Sequence, residues 1–158
     1  MYRRYINSDG LVIMLPYQIF EEIKVQVAKF YPVECGGIFV GKLLDNNSVL
    51  IVEIMMPEKF KSNRFWFYRI SAFLNNWLSN VFKRNNGEVM YLGEWHSHCD
   101  APPYPSKKDL GSMIRIAQSE NVRIQTPLML IVAYDGKNYN EQFYILFENK
   151  LIQYAKQD

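Results

Sequence analysis

The chain contains only two histidines, His96 and His98, separated by one residue. On an extended segment residues i and i+2 share a face, so both imidazoles can converge on one ion. Seven residues intervene before Ser106, and Asp109 stands three positions further on. Two neutral imidazoles and one carboxylate form a common ligand set for catalytic zinc, with a fourth position left for water. The loop must turn sharply to bring Asp109 back to the histidines. Pro102, Pro103 and Pro105 restrict it and lower the entropy lost on closure. Each piece also has a plainer reading. A His-x-His pair on a strand is more often structural or exposed than catalytic. Ser106-Lys107-Lys108-Asp109 is a capping box, with serine at the N-cap and an acid at the third helical position. The two roles are compatible, since a helix N-terminus can hold a ligand carboxylate in place. Glu34, ahead of Cys35-Gly36-Gly37, reads by itself as an acid in a turn.

The elements that must hold these residues follow from hydrophobic periodicity. Leu11 to Met14 reads as a short strand, and Pro16 suits the first turn of a helix. Leu15, Ile19, Ile23 and Val27, with Phe20 and Phe30, give that helix one apolar face, and Pro32 stops it. Gly36 to Leu44 and Ser48 to Met55 read as strands joined at Asp45-Asn46-Asn47. Ile70, Phe73, Leu74, Trp77, Leu78, Val81 and Phe82 mark a second helix, ended by Asn85-Asn86-Gly87. Val89 to Trp95 should be a strand, followed by a proline-rich loop from Asp100 to Pro105. A third helix is expected from Ser106 to about Asn121, with Leu110, Met113, Ile114 and Ala117 on one side. Pro127 to Tyr134 and Gln142 to Phe147 form a last hairpin around Asp135-Gly136, with a short strand or helix after it. Strands and helices interleaved around hairpins argue for a mixed α/β sandwich rather than a parallel doubly wound sheet.

At 158 residues the chain suits one domain, residues 1–158, with a single core. Its 49% hydrophobic and 22% charged content are those of a folded globular protein. A net charge of +2 with scattered basic residues does not favour nucleic acid or an anionic membrane as principal partner. Aromatic residues do lie between the basic ones from Lys59 to Arg69, but no basic groove accompanies them. No apolar run reaches the roughly 18 residues that would span a bilayer. Polar Asn7-Ser8-Asp9-Gly10 follows the basic N-terminus where a signal-peptide core would lie. Cys35 and Cys99 are therefore expected to be free thiols in a cytoplasmic protein.

Glu34-Cys35-Gly36-Gly37-Ile38-Phe39-Val40-Gly41 resembles the first signature of the JAB/MPN (JAMM) metallopeptidases, an acid followed by a glycine-containing strand. Gly93-Glu94-Trp95-His96-Ser97-His98, the loop, Ser106 and Asp109 resemble the second, His-x-His-x(7)-Ser-x-x-Asp, with every spacing kept. The resemblance implies an α/β, mixed-sheet MPN (JAB) domain, a cytidine-deaminase-like layered sandwich with flanking helices. It further implies one Zn2+ per chain held by His96, His98 and Asp109, with Glu34 as general acid/base. Ser106 would donate a hydrogen bond to the oxyanion. Cys99 departs from the family pattern, since proline is frequent after the second histidine. It reads as an inert small side chain, with an extra zinc ligand or a redox-sensitive group as alternatives. Glu94 and Asp100 flank the site without assigned chemistry.

The chain also resembles the stand-alone prokaryotic JAB proteins encoded beside ubiquitin-like, E1-like and E2-like components in bacterial conjugation and antiphage operons. The resemblance implies a deubiquitinase-like isopeptidase that removes a ubiquitin-like protein from conjugates or trims its C-terminal extension. The expected partners are that ubiquitin-like protein, its conjugates and the E1-like or E2-like operon proteins, with no nucleic acid and no membrane. An extended tail would pair with a strand edge, and the body would dock near Phe65-Trp66-Phe67. The alternatives are a catalytically silent MPN scaffold, which typically loses ligand residues that are all present here, and a zinc hydrolase of another amide. A nucleoside deaminase would need a Pro-Cys-x-x-Cys pair that neither cysteine provides. A cysteine peptidase is weaker still, since His96 and His98 are better explained as ligands.

Overall fold

The computed structural model describes residues 1–57, 60–63, 66–69, 74–120 and 122–157. The histidines lie on a strand inside a nine-stranded mixed sheet. In chain order the elements are β1 (Tyr2–Ile6), β2 (Val12–Pro16), α1 (Tyr17–Phe30), β3 (Gly36–Asp45), β4 (Ser48–Met55), β5 (Phe60–Asn63) and β6 (Trp66–Arg69). There follow α2 (Leu74–Arg84), β7 (Met90–Cys99), α3 (Lys107–Ala117), β8 (Leu128–Tyr134), β9 (Tyr139–Phe147), β10 (Lys150–Gln153) and β11 (Ala155–Gln157). The strand order is β10-β9-β8-β7-β3-β4-β2-β1-β11, and β5 pairs with β6 as a separate two-stranded sheet. Neighbours β2–β4 and β7–β8 run parallel, as crossovers through a helix require.

Alternation along the strands assigns a face to each helix. Phe39, Leu130, Val132 and Phe143 point toward the apolar stripe of α1, Ile19, Phe20, Ile23 and Val27. Their sequence neighbours point the other way. Met129, Ile131, Tyr144 and Leu146 meet Met113 of α3, while Ile38, Val40 and Tyr91 lie under Trp77 and Leu78 of α2. Covered on both faces, β8 is apolar from Leu128 to Ala133 rather than alternating.

The two outermost strands, β10 and β11, are separated in the chain only by Tyr154, so the sheet curls until its edges approach. Tyr154 is 2% exposed and donates its backbone N–H to the Phe143 carbonyl at 2.9 Å. Glu141 of β9 is the ionic knot of this seam. It pairs with Arg3, accepts from Lys156 at 2.9 Å and from the Tyr5 hydroxyl at 3.0 Å.

Several boundaries differ from expectation for physical reasons. Pro16 ends β2 and caps α1 with an extended ψ of 137°, rather than occupying the first helical turn. Strand β1 carries no apolar alternation because Arg3 and Arg4 interrupt it, and Arg3 is held by Glu141 and by the Phe20 ring. The third helix stops at Ala117, short of Asn121, which lies outside the described residues, as do Ile70 and Phe73 of the second expected helix. Strand β7 continues past Trp95 through both histidines to Cys99.

Candidate metal centre

The pleat of β7 sorts its residues strictly. Trp95, Ser97 and Cys99 are buried on one face, while Glu94, His96 and His98 are partly exposed on the other, the face on which α3 packs. Opposite His96 stands Gly36 of β3. A Cβ at Gly36 would come within 2.4 Å of the Trp95 carbonyl oxygen and 2.9 Å of His96 Cβ, so only glycine lets the two strands approach this closely. At Asp100, with φ of 55°, the chain leaves the strand in the left-handed conformation that aspartate tolerates. The proline loop then carries it to α3.

His96 Nε2 and His98 Nε2 are 3.2 Å apart, and His96 Nε2 lies 3.4 Å from Asp109 Oδ1. His98 Nε2 is 3.9 Å from Asp109 Oδ2. Among the described residues this is the one group of metal-ligating atoms within 4.8 Å of one another. Tetrahedral zinc with bonds of about 2.0–2.2 Å requires ligand atoms about 3.4 Å apart, which the first two separations match. His98 Nδ1 lies 2.9 Å from the Pro102 carbonyl oxygen. A carbonyl only accepts, so Nδ1 carries the proton and Nε2 is the nitrogen left to face the other ligand atoms. Burial pushes the His96 pKa down, outweighing the opposing pull of the Asp109 carboxylate, so its imidazole stays neutral at neutral pH. The donor types and the first two separations thus fit zinc.

Asp109 is held by the first turn of α3. Its Oδ2 accepts the Ser106 N–H at 2.6 Å and the Ser106 hydroxyl at 2.7 Å. The Ser106 oxygen in turn accepts the Asp109 N–H at 3.1 Å, completing the capping box. Desolvation alone would raise the Asp109 pKa. The nearby histidines and the Ser106 hydrogen bonds more than offset it, and the group is lowered overall. The cap uses Oδ2, while Oδ1 is the oxygen 3.4 Å from His96 Nε2.

Glu34 approaches from the segment before β3 and is 6% exposed. Burial first, then the Asp109 charge, push its carboxyl up to about 8, against the pull of Lys108. Glu34, His96, His98, Ser106 and Asp109 line one cleft of about 470 Å³. All five residues singled out by spacing and motif are thus brought together. Cys99 is 5% exposed, alternates with the histidines along β7 and is among the residues lining the cleft, but it is not in the group of ligating atoms within 4.8 Å of one another. Glu94 accepts from the Tyr91 hydroxyl at 3.3 Å, and Asp100 accepts from Tyr31 at 2.9 Å. Tyr144, which no sequence pattern marked, donates its hydroxyl to the Pro103 carbonyl at 2.8 Å, next to the carbonyl that orients His98. Of the aromatic stretch expected to meet a partner, Phe65 lies outside the described residues, and Trp66 and Phe67 form part of β6.

Comparison with known proteins identifies the family. The family profile described as prokaryotic homologs of the JAB domain matches residues 16–146. A protein of Enterobacter hormaechei named CD-NTase/cGAS isopeptidase is 30% identical over 133 residues, covering 82% of this chain and 72% of its own. A protein of the same name from Vibrio cholerae is 26% identical, covering 80% of this chain and 78% of its own. A probable metalloprotease of Sinorhizobium fredii is 23% identical, covering 81% of this chain and 79% of its own. In fold, the chain is similar to a solution structure of a Desulfitobacterium hafniense protein, with a TM-score of 0.63 at 19% identity, over 89% of this chain and 88% of that one.

Proposed function

Because the chain belongs to the prokaryotic JAB-domain family, we propose that it is a zinc-dependent isopeptidase that releases a ubiquitin-like protein from a conjugate. The observation that carries this reading is the convergence of two imidazoles and a carboxylate beside a buried glutamate in one cleft. His96, His98 and Asp109 Oδ1 would hold one Zn2+. The chemistry such an ion supplies is Lewis-acid polarisation of water and of the amide carbonyl.

The protein's own groups do the rest. Glu34 takes a proton from the attacking water as its oxygen bonds to the amide carbon. It returns that proton to the leaving lysine amine as the carbon–nitrogen bond breaks, and no acyl-enzyme forms. Lys108 lowers the cost of ionising Glu34. Ser106 donates to the developing oxyanion. Its hydroxyl hydrogen is now given to Asp109 Oδ2, and a side-chain rotation redirects it. Asp109 is not left bare by that rotation, since the Ser106 backbone N–H remains on the same oxygen.

The substrate brings an extended C-terminal tail. Support for this comes from the two-stranded β5–β6 sheet beside the base, where the Glu34 N–H donates to the Asn63 carbonyl at 2.9 Å. A strand edge there would hold the tail by backbone hydrogen bonds, with a small residue just before the scissile bond. The names of the relatives point to a CD-NTase as a component of the conjugate. E1-like and E2-like proteins would make the bond that this enzyme cuts.

The test offers four substrates: a ubiquitin-like protein with a C-terminal extension, a CD-NTase with the same extension, and the isolated tail of each as a short peptide. At least one folded fusion is expected to be cleaved after its natural last residue, with its tail peptide cut at least about tenfold more slowly, a loss of about 1.4 kcal/mol in transition-state binding. Cleavage of the CD-NTase fusion alone would place the tail on that protein. Equal cleavage of fusion and peptide would refute recognition of the folded body, and cleavage of none would send the reading to another amide.

A further inference from the structure

Ser97 stands between the two histidines yet faces away from the cleft, 1% exposed. It touches neither the ligand atoms nor the space a substrate would fill. Its oxygen accepts the Cys35 N–H at 2.9 Å, and its O–H points to Cys35 Sγ at 3.7 Å. Its own backbone N–H donates to the Cys35 carbonyl at 2.7 Å. The β3–β7 register ends at Gly36 and His96. These bonds carry the pairing one residue further, to the neighbour of Glu34. The Glu34 amide is tied on its other side, to Asn63.

We propose that Ser97 is a positioning residue for Glu34: its hydroxyl fixes the Cys35 amide, and through it the place of the Glu34 carboxylate relative to the histidines carried on the opposite face of the same strand. This inference rests on the reading of Glu34 as general acid/base. Side chains on the cleft face cannot supply this tie, because the Cys35 N–H points into the buried layer beneath β7. Without the hydroxyl, that amide is buried and unpaired, a state that chains relieve by moving. Residues 33–35 precede β3 and can shift, whereas His96 and His98 remain paired with Ile131 and Ala133 of β8. The expected damage is therefore to the base and not to the metal ligands. A displacement on the order of 1 Å lowers rates by roughly 100-fold.

The experiment compares wild type, S97A, S97T, S97C and E34Q, each loaded with zinc. Amide hydrogen exchange and zinc affinity are read for all, and kcat and KM on whichever fusion wild type cleaves. S97A should bind zinc like wild type, with His96 and His98 amides equally protected, while the Cys35 amide exchanges at least about tenfold faster. Its kcat should fall about 10- to 100-fold with little change in KM. S97T keeps the hydroxyl and should restore both protection and rate. Should S97A fail to fold, S97C, near in size but a weak acceptor, reads the same quantities. Unchanged protection of Cys35 overturns the proposal whether or not a substrate is in hand, as does a zinc loss that accounts for the lost rate. An inactive E34Q beside a fully active S97A refutes the role of Ser97 alone, whereas an active E34Q refutes the base itself.

Discussion

Glu34→Gln is expected to remove nearly all hydrolysis while leaving zinc content and fold intact. The amide keeps the shape of the carboxylate but cannot take a proton from water or return one to the leaving amine. General acid/base groups contribute on the order of 10²- to 10⁴-fold, so kcat should fall about 10³-fold, roughly 4 kcal/mol in the barrier. Stability should move the other way in the metal-free protein. The carboxyl of Glu34 is raised to about 8 from an ordinary value of 4.5. For an acid raised on folding, the native state binds the extra proton. Its stability contribution is therefore present below pH 4.5 and is lost as pH climbs toward 8. Glutamine has no such loss, so metal-free E34Q should melt above metal-free wild type at pH 7 and level with it near pH 4. Thermal melts across that range check the sign. Retention of most of the rate by E34Q would show that Glu34 is not the base.

Asp109→Ala should act on the metal rather than on proton transfer. It removes the oxygen 3.4 Å from His96 Nε2 and leaves two imidazoles, too few to hold zinc firmly in a cleft open to water. Loss of an outer hydrogen-bond partner alone costs about 10- to 100-fold in metal affinity, so loss of a ligand should cost more than about 100-fold. The variant also loses the second half of the capping box at the start of α3. Asp109→Asn separates these effects in part, since it retains a side-chain oxygen near Ser106. Competition with a metal-indicating chelator would measure the affinities. Tight zinc binding by D109A would remove Asp109 from the ligand set.

The candidate site of this chain was legible where it is local. His96, His98, Ser106 and Asp109 lie within one strand, one loop and one helical turn, so their spacing allows convergence. Glu34 was different. Nothing in its own neighbourhood separates it from a turn acid, and only the joint pattern with the glycine-rich segment brought it to the site. The apolar faces of α1 and of Lys107–Ala117 were readable from their periodicity. Strand β1 was not, because Arg3 lies over the Phe20 ring and pairs with a glutamate 138 positions away. Long-range hydrogen bonds leave no periodic trace. Tyr144 on the Pro103 carbonyl and Ser97 on the Cys35 amide span 41 and 62 positions, and each became visible only when the sheet brought its partners together. The curl of the sheet was likewise hidden, since it depends on Tyr154 and two three- or four-residue strands at the end of the chain.

The central claim is that His96, His98 and Asp109 hold a zinc ion on which amide hydrolysis depends, and zinc content measured beside activity tests it most directly. Purified protein should contain about one zinc per chain, lose cleavage of the fusion substrate when a chelator removes the metal, and regain it when zinc is returned. Protein that contains no transition metal and cleaves at an unchanged rate in the presence of chelator would contradict the account.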